Sequence, residues 1–264
     1  MKIYMLTIPQ TVHKRVLKIM IERNDCKRWI IGKETGQEGY KHWQMRLETS
    51  NDSFFDWCKK NVPYAHVEEA TDTWEYERKE GKFWSSEDTS EIRSVRFGTP
   101  TQKQREIINT ARKQSIREVD VWYDPSGNHG KTWLSIHLYE LGKAMVVPRA
   151  STTAEKLSAY VCSAYRGEEF IILDIPRSRK ISPELYEAIE EIKDGLVYDH
   201  RYSGRCRNIR GVHVIVFTNN KLDVSKLSHD RWRLHGFGKD TNALKGATAH
   251  PPKGTPPARE TERT

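Results

Sequence analysis

Four short apolar runs separated by helix-like segments constrain the fold of residues 116 to 238 more than any other feature of the sequence. The helix-like segments include TWLSIHLYEL (132–141) and SPELYEAIEEIKDG (182–195). Strands that alternate with helices favour a mainly parallel sheet, because parallel neighbours must be joined by a crossover. The sequence therefore predicts an α/β domain with the strands VDVWY (119–123), AMVVP (144–148), EFIIL (169–173) and HVIVF (213–217).

Residues 1 to 98 have a different pattern. Short apolar runs such as IYML and WII lie beside the stretch 43–47, in which every second residue is apolar. The segment TVHKRVLKIMIER predicts a helix with one apolar stripe, formed by Val12, Val16, Ile19 and Met20. Together these elements predict a small α+β domain.

The length and composition favour two modest domains over one large core. The 264 residues are 36% hydrophobic and 30% charged, which is too polar a composition for a single core of this size. We place the first domain at 1–98 and the second at 116–238, joined by a linker and oligomerisation helix at 99–115. The Gly-, Pro- and Thr-rich tail at 239–264 has no periodicity and is predicted to be disordered.

The charge balance points to a polyanionic partner. Lysine and arginine number 44 against 36 aspartates and glutamates, a formal net charge of +8, and such an excess favours nucleic acid through release of counterions. The four cysteines are far apart and form no CxxC pair, so neither a disulfide framework nor a zinc site is predicted. No apolar run approaches the length of a membrane span. We expect a soluble intracellular protein with no membrane partner.

The stretch KHWQMRLE (41–48) alternates polar and apolar residues, which is typical of a β-strand. Side chains alternate between the two faces of a strand, so His42 and Gln44 lie next to each other on the polar face. An imidazole nitrogen and a carboxamide oxygen at this spacing can bind a divalent cation and leave room for substrate oxygens. The alternative is an ordinary solvent-facing polar stripe, which would also include Arg46 and Glu48.

The segment TDTWEYERKEGKFW carries a tyrosine and a lysine at helical spacing. It begins at a suitable N-cap, Thr71 or Asp72, and reaches a glycine, so residues 73–80 are predicted to form a short helix. Tyr76 and Lys79 then share one face. A phenol is a weak nucleophile near neutral pH, but a cation on the phosphate and a nearby ammonium would help it to attack DNA and hold the cleaved strand covalently. The alternative is a tyrosine that packs its ring beside a solvated lysine.

The segment VWYDPSGNHGKTWLSIHLYEL places a glycine-containing loop between a strand and a helix. Such a loop binds phosphate through backbone N–H groups and the helix N-terminus, while Lys131 can reach the outer phosphates and Thr132 can hold magnesium. The strict pattern GxxxxGK[ST] fails, because Pro125 stands at the position of the first glycine. Two later apolar strands end in Asp174, which can bind magnesium through water, and in Asn219, which can orient the attacking water.

In their order along the chain, the motifs of the first half resemble the HUH endonuclease domain of replication-initiator (Rep) proteins of small circular single-stranded DNA viruses. The three matching segments are MLTIPQ (5–10) for motif I, HWQ (42–44) for the HxQ variant of motif II and YERK (76–79) for the YxxK of motif III. The resemblance implies a ferredoxin-like or RRM-like antiparallel sheet with flanking helices.

The same resemblance implies the roles of individual residues. Tyr76 would be the nucleophile, assisted by the lysine of YERK. The Mg²⁺ or Mn²⁺ site would consist of Glu34, His42 and Gln44, with Glu38 as the second choice for the glutamate. Gln44 replaces the second histidine of many relatives and leaves the identity of the metal open.

The second half resembles the superfamily-3 helicase domain of the same Rep proteins, and its motif sequences are most similar to those of smacovirus-like and nanovirus-like members. PSGNHGKT is similar to Walker A, IILDIPR to Walker B and VIVFTN to motif C. The resemblance implies ATP with Mg²⁺ and a homo-oligomeric ring, which is hexameric in the family. The implied nucleotide-binding residues are Pro125, Gly127, Gly130, Lys131, Thr132 and Asp174. Thr132 and Asp174 would hold the magnesium and Asn219 would act in catalysis, while the departures Asp124 and Ile175 leave the general base open.

KDGLVYDHRYSGRCRNIRG (193–211) resembles the segment that forms a DNA-tracking hairpin in these helicases. Interleaved basic and aromatic side chains can bind phosphates and unstacked bases. The predicted DNA-binding residues are Lys193, His200, Arg201, Tyr202, Arg205 and Arg207. For each of them the alternative is a solvated basic loop.

The segment LSHDRWRLHGF follows motif C and contains two arginines. Ring helicases complete each ATP site with an arginine finger from a neighbouring subunit, so Arg231, or else Arg233, is predicted to fill this catalytic role. The competing account is a salt bridge from Arg231 to Asp230 or to another acid.

These features lead to the hypothesis of a rolling-circle replication initiator. It would nick and rejoin single-stranded origin DNA through a 5′-phosphotyrosine on Tyr76 and unwind duplex DNA with ATP, in the host nucleus if the host is eukaryotic and otherwise in the cytoplasm. One alternative is a non-catalytic, ATP-responsive DNA-binding module of Rep-like descent, which ATP turnover would distinguish. A second is a basic RNA-binding protein of ferredoxin-like fold, which leaves the polar strand ends unexplained.

Overall fold

A computed structural model of the chain describes residues 1–149, 153–179, 181–201 and 204–237. The tail predicted to be disordered, 239–264, lies outside the described residues, as does Tyr202 of the predicted DNA-binding set. Among the described helices, none combines the length and the hydropathy needed to cross a bilayer.

The first half of the chain forms a five-stranded antiparallel sheet in the order β4-β1-β3-β2-β5. Its strands are β1 (Lys2–Pro9), β2 (Cys26–Thr35), β3 (Lys41–Thr49), β4 (His66–Glu69) and β5 (Phe83–Ser85). The two helices that pack on one face of the sheet are α1 (Lys14–Arg23) and α2 (Phe54–Asn61). This arrangement confirms the antiparallel α+β architecture expected for residues 1–98.

The apolar face of β3 forms the core between the sheet and these two helices. The three apolar residues of KHWQMRLE are buried against Leu17 and Met20 of α1. The predicted stripe is wrong at Ile19, which is 39% exposed. The helix begins only at Lys14, and it turns positions 17 and 20 rather than position 19 towards the sheet.

The polar face of β3 is buried as well, so the alternative of a solvent-facing stripe is wrong for Gln44 and Arg46. The segment after β4 crosses this face: the Arg46 guanidinium donates from Nε to Glu77 Oε1 (3.0 Å) and from Nη1 to the carbonyl oxygen of Thr71 (2.7 Å). Gly32 permits the close approach, because a Cβ there would lie 2.6 Å from the carbonyl oxygen of Glu77. The metal-ligand face predicted from the sequence is therefore packed against the segment that carries Tyr76.

Residues 73–80 do not form the predicted helix. A single 3-10 turn covers Tyr76–Arg78 and is flanked by other turns. Trp74 and Glu77, one turn apart, are both buried, and a segment of this length forms too few hydrogen bonds to hold a regular helix by itself. The chain then bends at Gly81, whose φ is +67°.

The second half forms a five-stranded sheet in the order β12-β6-β11-β8-β7. Its strands are β6 (Val119–Tyr123), β7 (Ala144–Val146), β8 (Phe170–Ile175), β11 (His213–Thr218) and β12 (Trp232–Gly236). All pairings in this sheet are parallel, which confirms the predicted parallel sheet. The edge strand β12, which pairs with β6, was not predicted.

Helices and one hairpin surround the parallel sheet. The helices are α3 (Ser90–Arg96), α4 (Gln102–Ala111), α5 (Lys131–Glu140), α6 (Ala154–Ala164) and α7 (Pro183–Asp194), and the antiparallel hairpin consists of β9 (Leu196–Asp199) and β10 (Arg205–Asn208). α5 and α7 coincide with the two helix-like segments of the sequence, whereas α6 was not predicted. The hairpin lies within the segment for which the Rep resemblance implied one.

The linker helix α4 rests on the second half of the chain. Its Ile107 and Ala111 are buried in the core beside α5 and the parallel sheet. Gln104 donates from Nε2 to the carbonyl oxygen of Gly130 (3.0 Å), so α4 also supports the glycine-containing loop. α3, which precedes the linker, packs against α5. The predicted role of the linker in oligomerisation stays a prediction.

Candidate active sites

Glu34 and His42 face each other across the hairpin of β2 and β3. His42 Nε2 lies 3.6 Å from Glu34 Oε2, and Nδ1 of the same ring faces the carbonyl oxygen of Tyr40 at 3.2 Å. Because a carbonyl oxygen can only accept, this contact favours the proton on Nδ1, and in the neutral ring Nε2 then carries the lone pair. Glu38 is exposed in the turn between the strands. The register of the hairpin thus places Glu34, and not the second choice, beside the imidazole.

The oxygen atoms around His42 fit a divalent cation. Gln44 Oε1 accepts from Thr7 Oγ1 (3.0 Å) and, as a carbonyl oxygen, keeps a second lone pair. Glu34 Oε1 is buried and has no hydrogen-bond partner among the described residues, which leaves this oxygen open to an ion or a water molecule. The described part of the chain holds no cluster of three histidine, cysteine or acidic side chains suited to a metal. The predicted site therefore depends on the amide of Gln44 as its third ligand.

Lys79 connects this ligand set to Tyr76. Its Nζ lies 2.7 Å from Glu34 Oε2 and 3.8 Å from the centroid of the Tyr76 ring. Partial burial by itself would lower the pKa of Lys79, but its contacts with Glu34 and Tyr76 outweigh burial and raise the pKa above 10.5, so the ammonium stays charged at neutral pH. Tyr76 is 52% exposed. Tyr76, Lys79, Glu34 and His42 thus form one continuous chain of contacts, with the tyrosine open to solvent.

A buried ion pair holds the Tyr76 segment on the sheet, and sequence reasoning missed it. Burial raises the pKa of Glu77, and the charge of Arg46 opposes that effect. Because Glu77 directly follows Tyr76, its bond to Arg46 fixes the position of the tyrosine over β3. The available signal was the placement of Arg46 on the same strand face as Gln44, two residues further along β3.

The loop between β6 and α5 has a backbone suited to phosphate. Gly127, Asn128 and Gly130 have left-handed φ values of +79°, +63° and +73°, and Gly130 leads directly into α5. The left-handed φ of Gly130 favours glycine at this position, and a Cβ there would require the end of the Gln104 side chain, 2.7 Å away, to move. Loop N–H groups beside a helix N-terminus bind anions.

Asp124 is fully buried beneath this loop. Its carboxylate accepts from the Gly127 N–H (2.8 Å), contacts His129 Nδ1 (2.8 Å) and pairs with Lys131 Nζ. Burial alone would raise the pKa of Asp124, but the donors, with Lys131 first, outweigh burial and lower it. Asp124, which departs from the family pattern, therefore pairs with Lys131, the lysine predicted to bind phosphate.

Most of the predicted nucleotide residues line one cavity of about 400 Å³. Those that do so are Gly127, Gly130, Lys131, Thr132, Asp174 and Asn219. The strand ends come together because β8 and β11 are parallel neighbours. Pro125 does not line the cavity. Its carbonyl oxygen accepts a hydrogen bond from Arg177, which does (2.7 Å).

Two arginines that sequence reasoning missed line the same cavity. Arg149 pairs through Nη2 with Asp174, and Arg177 follows β8 by two residues. The available signal was that each arginine lies just beyond an apolar strand, at the edge of the sheet where ligands of parallel sheets bind.

Arg231 does not occupy the position of an arginine finger, and the prediction is wrong. It is 4% exposed and pairs with Glu190 (3.0 Å) and Asp194 (2.9 Å) of α7, so its guanidinium cannot reach a neighbouring subunit. The competing account of a salt bridge is confirmed, with these acids rather than Asp230. The second choice, Arg233, pairs with a buried aspartate of β6 (3.3 Å).

Lys193 is not at a DNA-binding surface, which corrects another prediction. The side chain is buried, and its Nζ donates to Gln114 Oε1 (2.9 Å) and to the carbonyl oxygen of Val212 (3.0 Å). Burial lowers the pKa of Lys193 to about 8. Lys193, in the last turn of α7, thus attaches this helix to Gln114 and to Val212, which lies just before β11 of the parallel sheet.

The other predicted DNA-binding residues that the structure describes lie on or beside the hairpin of β9 and β10. Arg205 is exposed on β10. His200 and Arg201 each pair with an acid, and Arg207 donates to a main-chain carbonyl of α6 (3.2 Å). Binding of DNA by these residues stays a prediction.

The burial of Lys193 makes folding stability depend on pH. Between its folded pKa of about 8 and the ordinary value of 10.5, the folded chain binds fewer protons than the unfolded chain, so the free energy of unfolding rises with pH. Relative to the variant Lys193→Met, the wild type should gain about 2 kcal/mol between pH 7 and pH 10. Denaturant titrations of both proteins measure this gain. A difference that stays constant across this range would mean that the ammonium is solvated.

Similar curated proteins are viral replication proteins. The chain is 29% identical over 129 residues to the Master replication protein of Banana bunchy top virus, a match covering 49% of this chain and 43% of the relative. It is 25% identical over 181 residues to the Master replication protein of Faba bean necrotic yellows virus (64% and 57%). It is 31% identical over 144 residues to Para-Rep C6 of the Subterranean clover stunt C6 alphasatellite (50% and 45%). The resemblance to viral Rep proteins is confirmed.

These Rep relatives match the nanovirus-like part of the predicted resemblance, and the smacovirus-like part stays a prediction. The chain spans about half the length of the curated relatives it matches. No protein-family model matches the chain.

Proposed function

We propose that the chain is a rolling-circle replication initiator that nicks and rejoins single-stranded origin DNA and unwinds duplex DNA with ATP. The observation that carries the proposal is the chain of contacts from His42 through Glu34 and Lys79 to the exposed Tyr76. The name of the Rep relatives, Master replication protein, supports a role in replication.

In the nicking step, Tyr76 Oη attacks the phosphorus of a single-stranded phosphodiester. The bond between phosphorus and the 3′ oxygen breaks, the phenol loses its proton and the departing oxygen gains one, which leaves a free 3′ hydroxyl and a 5′-phosphotyrosine. Lys79 stays charged and lies against the phenol ring, where it stabilises the developing negative charge. Glu34, His42 and Gln44 would hold Mg²⁺ or Mn²⁺, which supplies Lewis-acid polarisation of the phosphate.

The phosphotyrosine ester also provides the rejoining step. A later 3′ hydroxyl attacks the same phosphorus and loses its proton, the bond to Tyr76 Oη breaks and the phenol regains a proton, and the strand is closed without an outside source of energy. Solvent exposure of Tyr76 supports this role, because the ester must be accessible to two different DNA ends in turn.

The second half would bind ATP between the loop and the strand ends. Lys131 and the loop N–H groups would bind phosphates, while Thr132 and Asp174 would hold Mg²⁺. Asn219 donates from Nδ2 to the carbonyl oxygen of Asp124, which fixes its amide at the end of β11, where it would orient water. A hexameric ring and DNA tracking by the β9–β10 hairpin belong to the same proposal and rest on the Rep resemblance.

A second candidate is a non-catalytic, ATP-responsive DNA-binding module. It is favoured by one observation: Lys131 is paired with Asp124 and Asp174 with Arg149, so both groups that would act on ATP already have internal partners. Turnover of ATP in the presence of single-stranded DNA distinguishes the two candidates, because a non-catalytic module would bind nucleotide without releasing phosphate.

Cleavage of a library of single-stranded stem-loops tests the nicking proposal. The purified chain is incubated with 3′-labelled oligonucleotides and Mn²⁺ or Mg²⁺. The expected result is label that migrates with the denatured protein, together with an unlabelled fragment whose 3′ hydroxyl a polymerase can extend. A chelator should suppress both products. If no member of the library is cleaved with either metal, the proposal fails.

A further inference from the structure

Arg177 differs from the other basic side chains at the nucleotide cavity. Lys131 and His129 contact the carboxylate of Asp124, and Arg149 is paired with Asp174. In the described ranges no acid pairs with Arg177, whose Nη2 donates to two main-chain carbonyl oxygens of the glycine-containing loop (2.7 and 3.2 Å). Its positive charge is therefore not neutralised by a neighbouring carboxylate.

Arg177 and Asn219 both lie next to Gly127 of the glycine-containing loop. A Cβ placed on Gly127 would lie 3.5 Å from Arg177 Nη2 and 3.7 Å from Asn219 Nδ2. Arg177 and Asn219 thus flank the same glycine, from the ends of the neighbouring strands β8 and β11. Both line the cavity that Lys131 also lines.

The guanidinium has donors left for an anion. Both carbonyl contacts use Nη2, and arginine carries further N–H donors on Nη1 and Nε. A planar guanidinium is well matched to phosphate oxygens and is always charged. An arginine held against a phosphate-binding loop is therefore positioned to donate to a phosphate lying in the cavity.

We propose that Arg177 binds the terminal phosphate of a nucleoside triphosphate from within the same subunit. This inference rests on the proposed ATP site, in which Asn219 orients the water that attacks that phosphate, so a cation beside Asn219 faces the terminal phosphate rather than the inner ones. It assigns to Arg177 a phosphate contact that Arg231 cannot make, because Arg231 is buried by α7.

Equilibrium binding of nucleotides tests the proposal with variants that separate charge from loop support. Arg177→Ala removes both, whereas Arg177→Gln keeps an amide donor for the loop carbonyls and removes the charge. Both variants should bind a magnesium-loaded, non-hydrolysable ATP analogue about 10- to 100-fold more weakly than the wild type, with ADP affinity changed less than about threefold. Lys221→Ala, which removes an exposed charge just beyond Asn219 and outside the cavity lining, is the matched control and should bind both nucleotides normally.

Three other outcomes of this binding experiment would each reject a specific claim. Wild-type affinity of Arg177→Gln for the triphosphate would show that the guanidinium charge is not used, and the proposal would be rejected. An equal loss of affinity for both nucleotides would reject the assignment to the terminal phosphate. If the wild type itself bound neither nucleotide, the proposed ATP site would fail together with the role of Arg177, and this outcome is recognisable without any variant.

Discussion

Replacing Tyr76 by phenylalanine is expected to abolish the covalent protein–DNA product. Phenylalanine keeps the ring that lies 3.8 Å from Lys79 Nζ but removes the oxygen that would attack the phosphate. Cleavage of a labelled stem-loop should fall by about a thousandfold or more, while the Kd for single-stranded DNA should change by less than about twofold. Denaturing gels measure the adduct, and fluorescence anisotropy measures binding.

Tyr40 provides the matched control for this experiment. It is as exposed as Tyr76, at 52% each, and its ring stacks on His42 with the centroids 5.4 Å apart. Tyr40→Phe keeps that stacking contact and should cleave DNA at close to the wild-type rate. The reverse result, in which Tyr40→Phe is inactive and Tyr76→Phe is active, would identify Tyr40 and not Tyr76 as the nucleophile.

Replacing Lys131 by alanine is expected to remove ATP hydrolysis and to spare nicking. Lys131 begins α5 at the glycine-containing loop and is the predicted contact for the outer phosphates. Without its ammonium, DNA-stimulated phosphate release should fall by about a hundredfold or more. Cleavage of a single-stranded stem-loop should stay within about twofold of the wild type, because the contacts around Tyr76 do not involve this loop.

A second variant is needed because Lys131 is paired with the buried carboxylate of Asp124. Lys131→Ala leaves the carboxylate of Asp124 buried without its ion partner, which can destabilise the loop. The double variant Lys131→Ala with Asp124→Asn removes both charges and should recover thermal stability without recovering ATP hydrolysis. Hydrolysis in either variant at the wild-type rate would contradict the assignment of Lys131. Loss of nicking in a variant of normal stability would contradict the independence of the two sites.

The parallel sheet was predictable because its signals are local. The inner strands are mostly apolar runs, and Asp174 and Asn219, at or just beyond the ends of β8 and β11, mark the edge where ligands bind. Asp174 and Asn219 line the same cavity for this reason, since neighbouring parallel strands end at the same edge. The edge strand β12 was missed because WRLHG lacks the continuous apolar run of the inner strands.

Other features depend on pairings that a single sequence does not reveal. Arg231 was assigned as an arginine finger because ring helicases complete each ATP site from a neighbouring subunit, but the acids that bury it lie on α7, about 40 residues earlier in the chain. Lys193 belonged to a basic stretch and yet faces inwards. The Tyr76 segment is held on the sheet by the bond between Glu77 and Arg46, a contact across 31 residues that the local sequence does not reveal.

Mapping the covalent adduct tests the central claim most directly. The cleaved stem-loop is digested by nuclease after the reaction, the protein is digested with trypsin, and the phosphorylated peptide is fragmented by mass spectrometry. The tryptic peptide 61–78 contains both Tyr64 and Tyr76, so fragmentation must assign the residue. The account predicts the nucleotide phosphate on Tyr76. A phosphate on Tyr64, Tyr40 or any other residue, or DNA that is cleaved with no modified peptide, would contradict it.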